Sequence, residues 1–138
     1  MTWESDGVRF SIEHPRDGQK WEGNNASCVL LIEAGDYRVL IPGDIEAAAE
    51  RDLLSHYQAG SVDLLVIPHH GSRTSSQRAF VNATQPHVAV AASGHRNRWG
   101  FPKPEITERW QRVGSIVLTT SESGAIRQRF CQIGRAHV

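Results

Sequence analysis

Six residues, Val62-Asp63-Leu64-Leu65-Val66-Ile67, form a nearly continuous apolar run that stops abruptly at Pro68-His69-His70-Gly71-Ser72. A strand at a protein surface alternates apolar and polar side chains, because successive residues point to opposite faces. A run without alternation predicts a strand covered on both faces, and so a layered α/β arrangement. A second short run, Tyr37-Arg38-Val39-Leu40-Ile41, lies upstream and closes on Pro42-Gly43-Asp44. Open α/β sheets place their sites at the carboxyl ends of strands. Two strands that deliver Asp and His there make half of a metal site, and the remaining donors are expected outside this chain.

The rest of the pattern fits that frame. Gly7 to Ile12 predicts a strand, followed by a turn at His14-Pro15-Arg16-Asp17-Gly18. Ser27 to Ala34 and Tyr37 to Ile41 flank Gly35-Asp36 as a hairpin. Ile45 to Tyr57 predicts a helix that Asp44 can cap, and Ser75-Ser76 can cap a short helix to about Val81. A strand over His87–Ala92, a helix over Pro104–Val113, a strand over Ser115–Thr119 and a last strand over Ala125–Phe130 complete the order. The alternation of strands and helices after an opening hairpin predicts a mixed sheet with flanking helices.

With 138 residues the chain has room for one modest core, and 39% hydrophobic with 22% charged residues is an ordinary globular balance. No apolar run approaches the ~18 residues of a membrane helix, and Met1-Thr2-Trp3-Glu4-Ser5-Asp6 lacks the features of a signal peptide. Cys28 and Cys131 provide no disulfide framework, and Cys28 reads as a small buried residue. Net charge is zero but uneven: residues 30–63 hold seven acids against two arginines, and residues 71–112 hold seven bases against two glutamates. Either these are solvated helix faces, or a basic rim lies beside an acidic metal site and suits a phosphate-bearing substrate.

Asp44 is either a helix cap or a metal ligand. His69 and His70, adjacent at a strand end, are expected to diverge, one facing the site and the other supporting it or contacting substrate, the alternative being a structural role. Gly71 permits a sharp turn. Ser72, Ser75 and Ser76 are candidates to bind phosphate at a helix N-terminus, or are ordinary capping hydroxyls. In the loop Gly94 to Pro102, Arg96, Asn97 and Arg98 are candidate substrate contacts, the alternative being a surface loop around a buried Trp99.

The ordered set Asn24-Asn25-Ala26-Ser27, Pro42-Gly43-Asp44-Ile45-Glu46, Pro68-His69-His70-Gly71-Ser72, the Gly94–Pro102 loop and Gly124-Ala125-Ile126 resembles the C-terminal part of the metallo-β-lactamase-like domain of ComEC-type DNA-internalisation competence proteins. The resemblance runs from about Val8 to Phe130. It implies part of a four-layer αββα sandwich and a dinuclear site of manganese or zinc, with Asp44 bridging and His70 or His69 as the last histidine ligand. Two such metals, about 3.5–4 Å apart, activate water against a phosphodiester. It further implies a catalytic role for Asp44, His69 and His70, DNA as substrate, and a bacterial inner-membrane protein whose upstream remainder is this segment's partner.

Three departures accompany the resemblance. The family's first metal motif, His-x-Asp-x-Asp-His, is absent and belongs upstream of Met1. The family's Gly-His-Pro is here Gly100-Phe101-Pro102, with a ring in place of a histidine. Asn24 and Asn25 stand where other members of the superfamily carry a histidine. Residues 1–132 are thus expected to be the C-terminal portion of a hydrolase domain with little activity alone, and residues 133–138 (Ile133 to Val138) a non-native, adapter-derived tail. The rival readings are another superfamily hydrolase, acting on a small phosphodiester or lactone, and a binding module that kept the scaffold without the metals.

Overall fold

A computed structural model describes residues 1–131; the suspected tail, 133–138, lies outside the described residues. Seven strands form one sheet whose spatial order is the chain order. They are β1 (Thr2–Ser5), β2 (Val8–His14), β3 (Val29–Ala34), β4 (Tyr37–Ile41), β5 (Leu64–Val66), β6 (Val88–Ala91) and β7 (Ile116–Thr119). The first four pair antiparallel, with Gly35-Asp36 turning the β3–β4 hairpin. From β4 onward the pairing is parallel. Parallel neighbours need crossovers, and these carry α1 (Ala47–Leu54), α2 (Arg78–Thr84) and α3 (Pro104–Arg112).

One face of the sheet is sealed. Leu31, Leu40, Leu65, Ala89 and Val117 follow one another across β3 to β7 in register. The first four are buried in one cluster with Ile45, Ala49 and Leu53 on the α1 side, Phe80 and Val81 of α2, and Ile106 and Trp110 of α3. Phe80 and Trp110 meet edge to face, 6.1 Å between centroids.

The other face is open. Its matching row is Phe10, Ile32, Val39, Leu64, Val88 and Ile116, flanked by Ile12, Leu30, Ile41, Val66, Val90 and Leu118. All twelve are apolar and none is buried, Ile116 being 52% exposed. The continuous apolar run in β5 predicts cover on both faces, and the described residues supply cover on one.

Several expectations change in detail. Asp44 does not cap α1: the helix begins after Glu46, whose N–H donates to Asn25 Oδ1 at 2.8 Å. The segment 125–130 is not a strand; β7 runs into a short helix, α4 (Thr120–Ser123), and the chain then passes across the strand ends instead of along the β7 edge. There Phe130 packs on Tyr37 and the Tyr37 hydroxyl donates to the Cys131 carbonyl. β1 was not anticipated: it is fully exposed at the sheet edge, with Trp3 stacked on Phe10. Cys28 is exposed, not buried, and like Cys131 is a free thiol. No helix among the described residues is long and apolar enough to cross a membrane.

Candidate metal centre

β4 and β5 lie side by side, so the segments leaving their carboxyl ends meet. Gly43, with φ +64°, turns the chain after β4, and a Cβ there would stand 2.9 Å from that of Ser27. The Ser27 hydroxyl donates to the Asn24 carbonyl and accepts the Asp44 N–H, binding the 23–27 turn to the Asp44 loop. After β5, Pro68–Gly71 makes a tight turn in which His69 (φ 51°) and His70 (φ 57°) are both left-handed. Two successive non-glycine residues in that region cost roughly 1–3 kcal/mol each. Fixed partners offset the strain: His69 N–H donates to the Gly43 carbonyl, Ser72 N–H to the His69 carbonyl, and Lys103 N–H to the Gly71 carbonyl, each at 3.0 Å.

The histidines diverge as expected, their rings 61° apart, but a left-handed turn and not strand alternation separates them. His70 Nδ1 lies 2.6 Å from the Ala92 carbonyl, which can only accept. Nδ1 is therefore the donor of that bond, which leaves Nε2 as the nitrogen turned toward Asp44, the orientation found in metal-binding histidines. That Nε2 stands 3.5 Å from Asp44 Oδ1, and both side chains are half exposed. His69 is engaged at both nitrogens. Its Nε2 faces the Asn24 amide at 3.4 Å and its Nδ1 faces Thr74 Oγ1 at 3.1 Å, with Glu46 at 4.0 Å.

Asp44, His69 and His70 line a cleft of about 520 Å³ with Ser93, Asn97, Trp99 and Phe101. As donors, Asp44 and His70 fit a divalent cation, but two ligands fall short of the three or four that zinc sites use. Among the described residues, no cluster of three or more His, Cys, Asp or Glu side chains could hold a metal ion.

The hydroxyls after the turn are placed differently from the loop arginines. Ser75 and Ser76 are completely buried: Ser75 Oγ donates to the Ile45 carbonyl and Ser76 Oγ accepts from the Trp110 indole. Ser72 is nearly buried and bonded to Thr74. These groups brace the turn from behind the cleft. Glu50 holds the same segment from α1, accepting the Ser76 and Gln77 N–H groups. Burial pushes its carboxyl up to about 7, against the opposing pull of those two bonds and of Arg109.

Asn97 lines the cleft, yet its amide is spent on the loop, accepting from Phe101 N–H and donating to the Phe101 and Gly94 carbonyls. Arg96 and Arg98 are exposed and take no part in the ion pairs of the described residues. The basic tract divides accordingly. Arg73 pairs with Glu105, Arg112 with Glu108, and Arg109 donates to the Ser76 carbonyl; of the remaining four, Arg78 and Arg96 make no contact with the cleft rings among the described residues, while Arg98 lies over Trp99 and Lys103 near Phe101. Trp99 is 55% exposed, not buried. Glu46 and the Ala92 carbonyl were not anticipated, and Thr74, one of the hydroxyls after the turn, meets His69; only the Glu46 position, in Gly-Asp-Ile-Glu, carries a sequence hint.

Residues 2–95 match the family model of the metallo-beta-lactamase superfamily. The chain is 37% identical over 133 residues to YcaI of Escherichia coli (strain K12), a match covering 96% of the chain and 18% of that protein. It is 36% identical to Recombination protein 2 of Haemophilus influenzae (94% of the chain, 16% of that protein). It is also 36% identical to Competence protein ComA of Neisseria gonorrhoeae (91% and 18%). The chain thus spans less than a fifth of each of these relatives. Among solved structures, a mutant of CmlA beta-hydroxylase superposes with a TM-score of 0.55 at 14% identity, covering 86% of this chain and 31% of that one. That likeness concerns the fold.

Proposed function

This chain belongs to the metallo-β-lactamase superfamily, and from that premise we propose that it is the C-terminal half of a metal-dependent phosphodiesterase domain in a competence protein. The observation that carries the proposal is the pairing of Asp44 Oδ1 with an imidazole whose Nδ1 proton is already committed to the Ala92 carbonyl. This places two oriented donors at the carboxyl ends of adjacent strands, in a cleft large enough for a nucleotide. The relatives named for competence and recombination favour DNA as the polymer acted upon. In the whole protein the segment belongs to a membrane protein of the bacterial inner membrane, standing outside the bilayer beside its upstream partner sequence.

Asp44 and His70 would hold the metal, manganese or zinc. When bound by such ligands, a divalent pair polarises water and the phosphoryl oxygens. The chain's own residues orient the donors. The Ala92 carbonyl sets the His70 tautomer, and the left-handed turn aims its ring at Asp44. His69, bonded to Thr74 and facing Asn24 and Glu46, supports the turn from the neighbouring side. Arg96 and Arg98 add positive charge for a polyanion.

The open sheet face and the two-donor set both favour a half-domain whose second sheet and first metal motif come from elsewhere in the protein. The test is a nuclease assay of this chain on single- and double-stranded DNA with manganese or zinc, alongside metal titration of the chain and its Asp44→Ala variant. Asp44-dependent metal uptake without turnover is the expected result. Robust Asp44-dependent cleavage by this chain alone would sink the half-site, and metal uptake indifferent to Asp44 would sink the ligand assignment.

A further inference from the structure

The loop on the far wall of the cleft carries an aromatic surface that metal binding does not require. Trp99 is 55% exposed although the chain has an apolar core to bury it in. Its ring lies nearly parallel to Phe101, 14° apart with centroids at 6.1 Å, and Phe101 in turn meets the edge of His69 at 6.0 Å. The three rings run from the lip of the cleft to the histidine turn. The platform is fixed in advance. Asn97 clamps Phe101 through N–H and carbonyl, and Lys103 Nζ donates to the Trp99 carbonyl. Cations border it: the Arg98 guanidinium lies 4.4 Å from the Trp99 ring centre and Lys103 Nζ 5.6 Å from that of Phe101.

The geometry points to a nucleobase-stacking subsite: Trp99, backed by Phe101, receives a base of single-stranded DNA in the cleft that Asp44 and His70 also line. This rests on the reading of the cleft as a phosphodiester site. An exposed guanidinium on a ring is held by only about 0.5–1 kcal/mol, so an incoming base displaces Arg98 or stacks over it. The freed guanidinium remains beside the backbone as a phosphate partner. Bases in a duplex have both faces covered by neighbours, so an aromatic platform selects single strands, and it is tolerant of sequence because every base has a π-face. A small apolar ester would not need the flanking cations.

The test is fluorescence anisotropy of this chain with a labelled oligothymidylate and with an abasic oligonucleotide of the same length, at fixed low salt and without metal. The base-bearing strand should bind on the order of tenfold tighter than the abasic one. Trp99→Ala should erase that preference and leave abasic binding unchanged, while Trp99→Phe should keep most of it. Equal affinity of the parent for both strands overturns the inference, as does failure to bind either, or a Trp99→Ala loss shared by both. Manganese titration of Asp44→Ala separates the two readings. A base preference without Asp44-dependent metal uptake counts against the hydrolase and for the platform. Metal uptake without base preference does the reverse.

Discussion

Gly71 and Pro102 pack backbone against backbone: a Cβ placed on Gly71 would stand 2.7 Å from the Pro102 Cα. Gly71 also sits at φ +89°, a conformation that side chains resist. The contact locks the 94–103 loop onto the histidine turn. Gly71→Ala should cost roughly 2–4 kcal/mol, from overpacking and left-handed strain together. The loss should appear as a lower urea midpoint, with weaker zinc uptake because His70 is displaced. A variant as stable as the parent would mean the loop is not seated there.

The two histidines should differ as ligands. His70→Ala and Asp44→Ala remove proposed donors and should each weaken zinc binding by tenfold or more, read by calorimetric titration. His69→Ala removes support for the turn and should weaken zinc binding less than either of them. The reverse ranking would assign the ligand role to His69.

Glu50 makes stability depend on pH in an unusual direction. Its carboxyl rises from 4.5 to about 7 on folding, chiefly through burial. The native state therefore holds a proton that the unfolded chain gives up. The stabilisation is complete below about 4.5 and is lost as pH rises through about 7, on the order of 3 kcal/mol in all. Glu50→Gln should flatten that segment of the stability–pH curve measured by chemical denaturation. It should also cost roughly 1–3 kcal/mol at acid pH, since one of the two oxygens that accept from Ser76 and Gln77 becomes an NH2, which cannot accept. An unchanged slope would show that folding leaves the Glu50 carboxyl at its ordinary pKa.

Leu64 and Leu65 are neighbours on opposite faces of β5, the second fully buried and the first not. Leu65→Ala should cost about 2–5 kcal/mol in this chain. Leu64→Ala should cost less than about 1.5 kcal/mol and should reduce self-association at high concentration, because it trims an open apolar face. Equal costs in monomeric protein would show that the face is covered, contrary to the half-domain reading.

Sequence periodicity reveals the parallel half of the sheet well, since Val62–Ile67, His87–Ala92 and Ser115–Thr119 each contain a true strand. It misses β1, whose four exposed residues gain their strand character from pairing with β2 alone. It over-reads Ala125–Phe130, where alternation exists but no strand edge accepts it. Asp44, His69 and His70 are legible as residue types at strand ends. What distinguishes the two rings is not, because His70 is held by the Ala92 carbonyl, 22 residues further along the chain. The serines illustrate the converse limit: a hydroxyl-rich turn looks the same in sequence whether its groups face a ligand or, like Ser75 and Ser76, a core.

The coincidence of strand order with chain order has a consequence for biosynthesis. A polypeptide leaves the ribosome amino end first, and each strand from β2 to β7 emerges to find its upstream neighbour already made. No strand must wait for a distant partner, which keeps loop-closure costs low. The cleft is consequently assembled in the order of translation. The Asp44 carboxylate arrives first and the His70 ring second; the Ala92 carbonyl that sets its proton follows, and the loop bearing Trp99 closes the wall last.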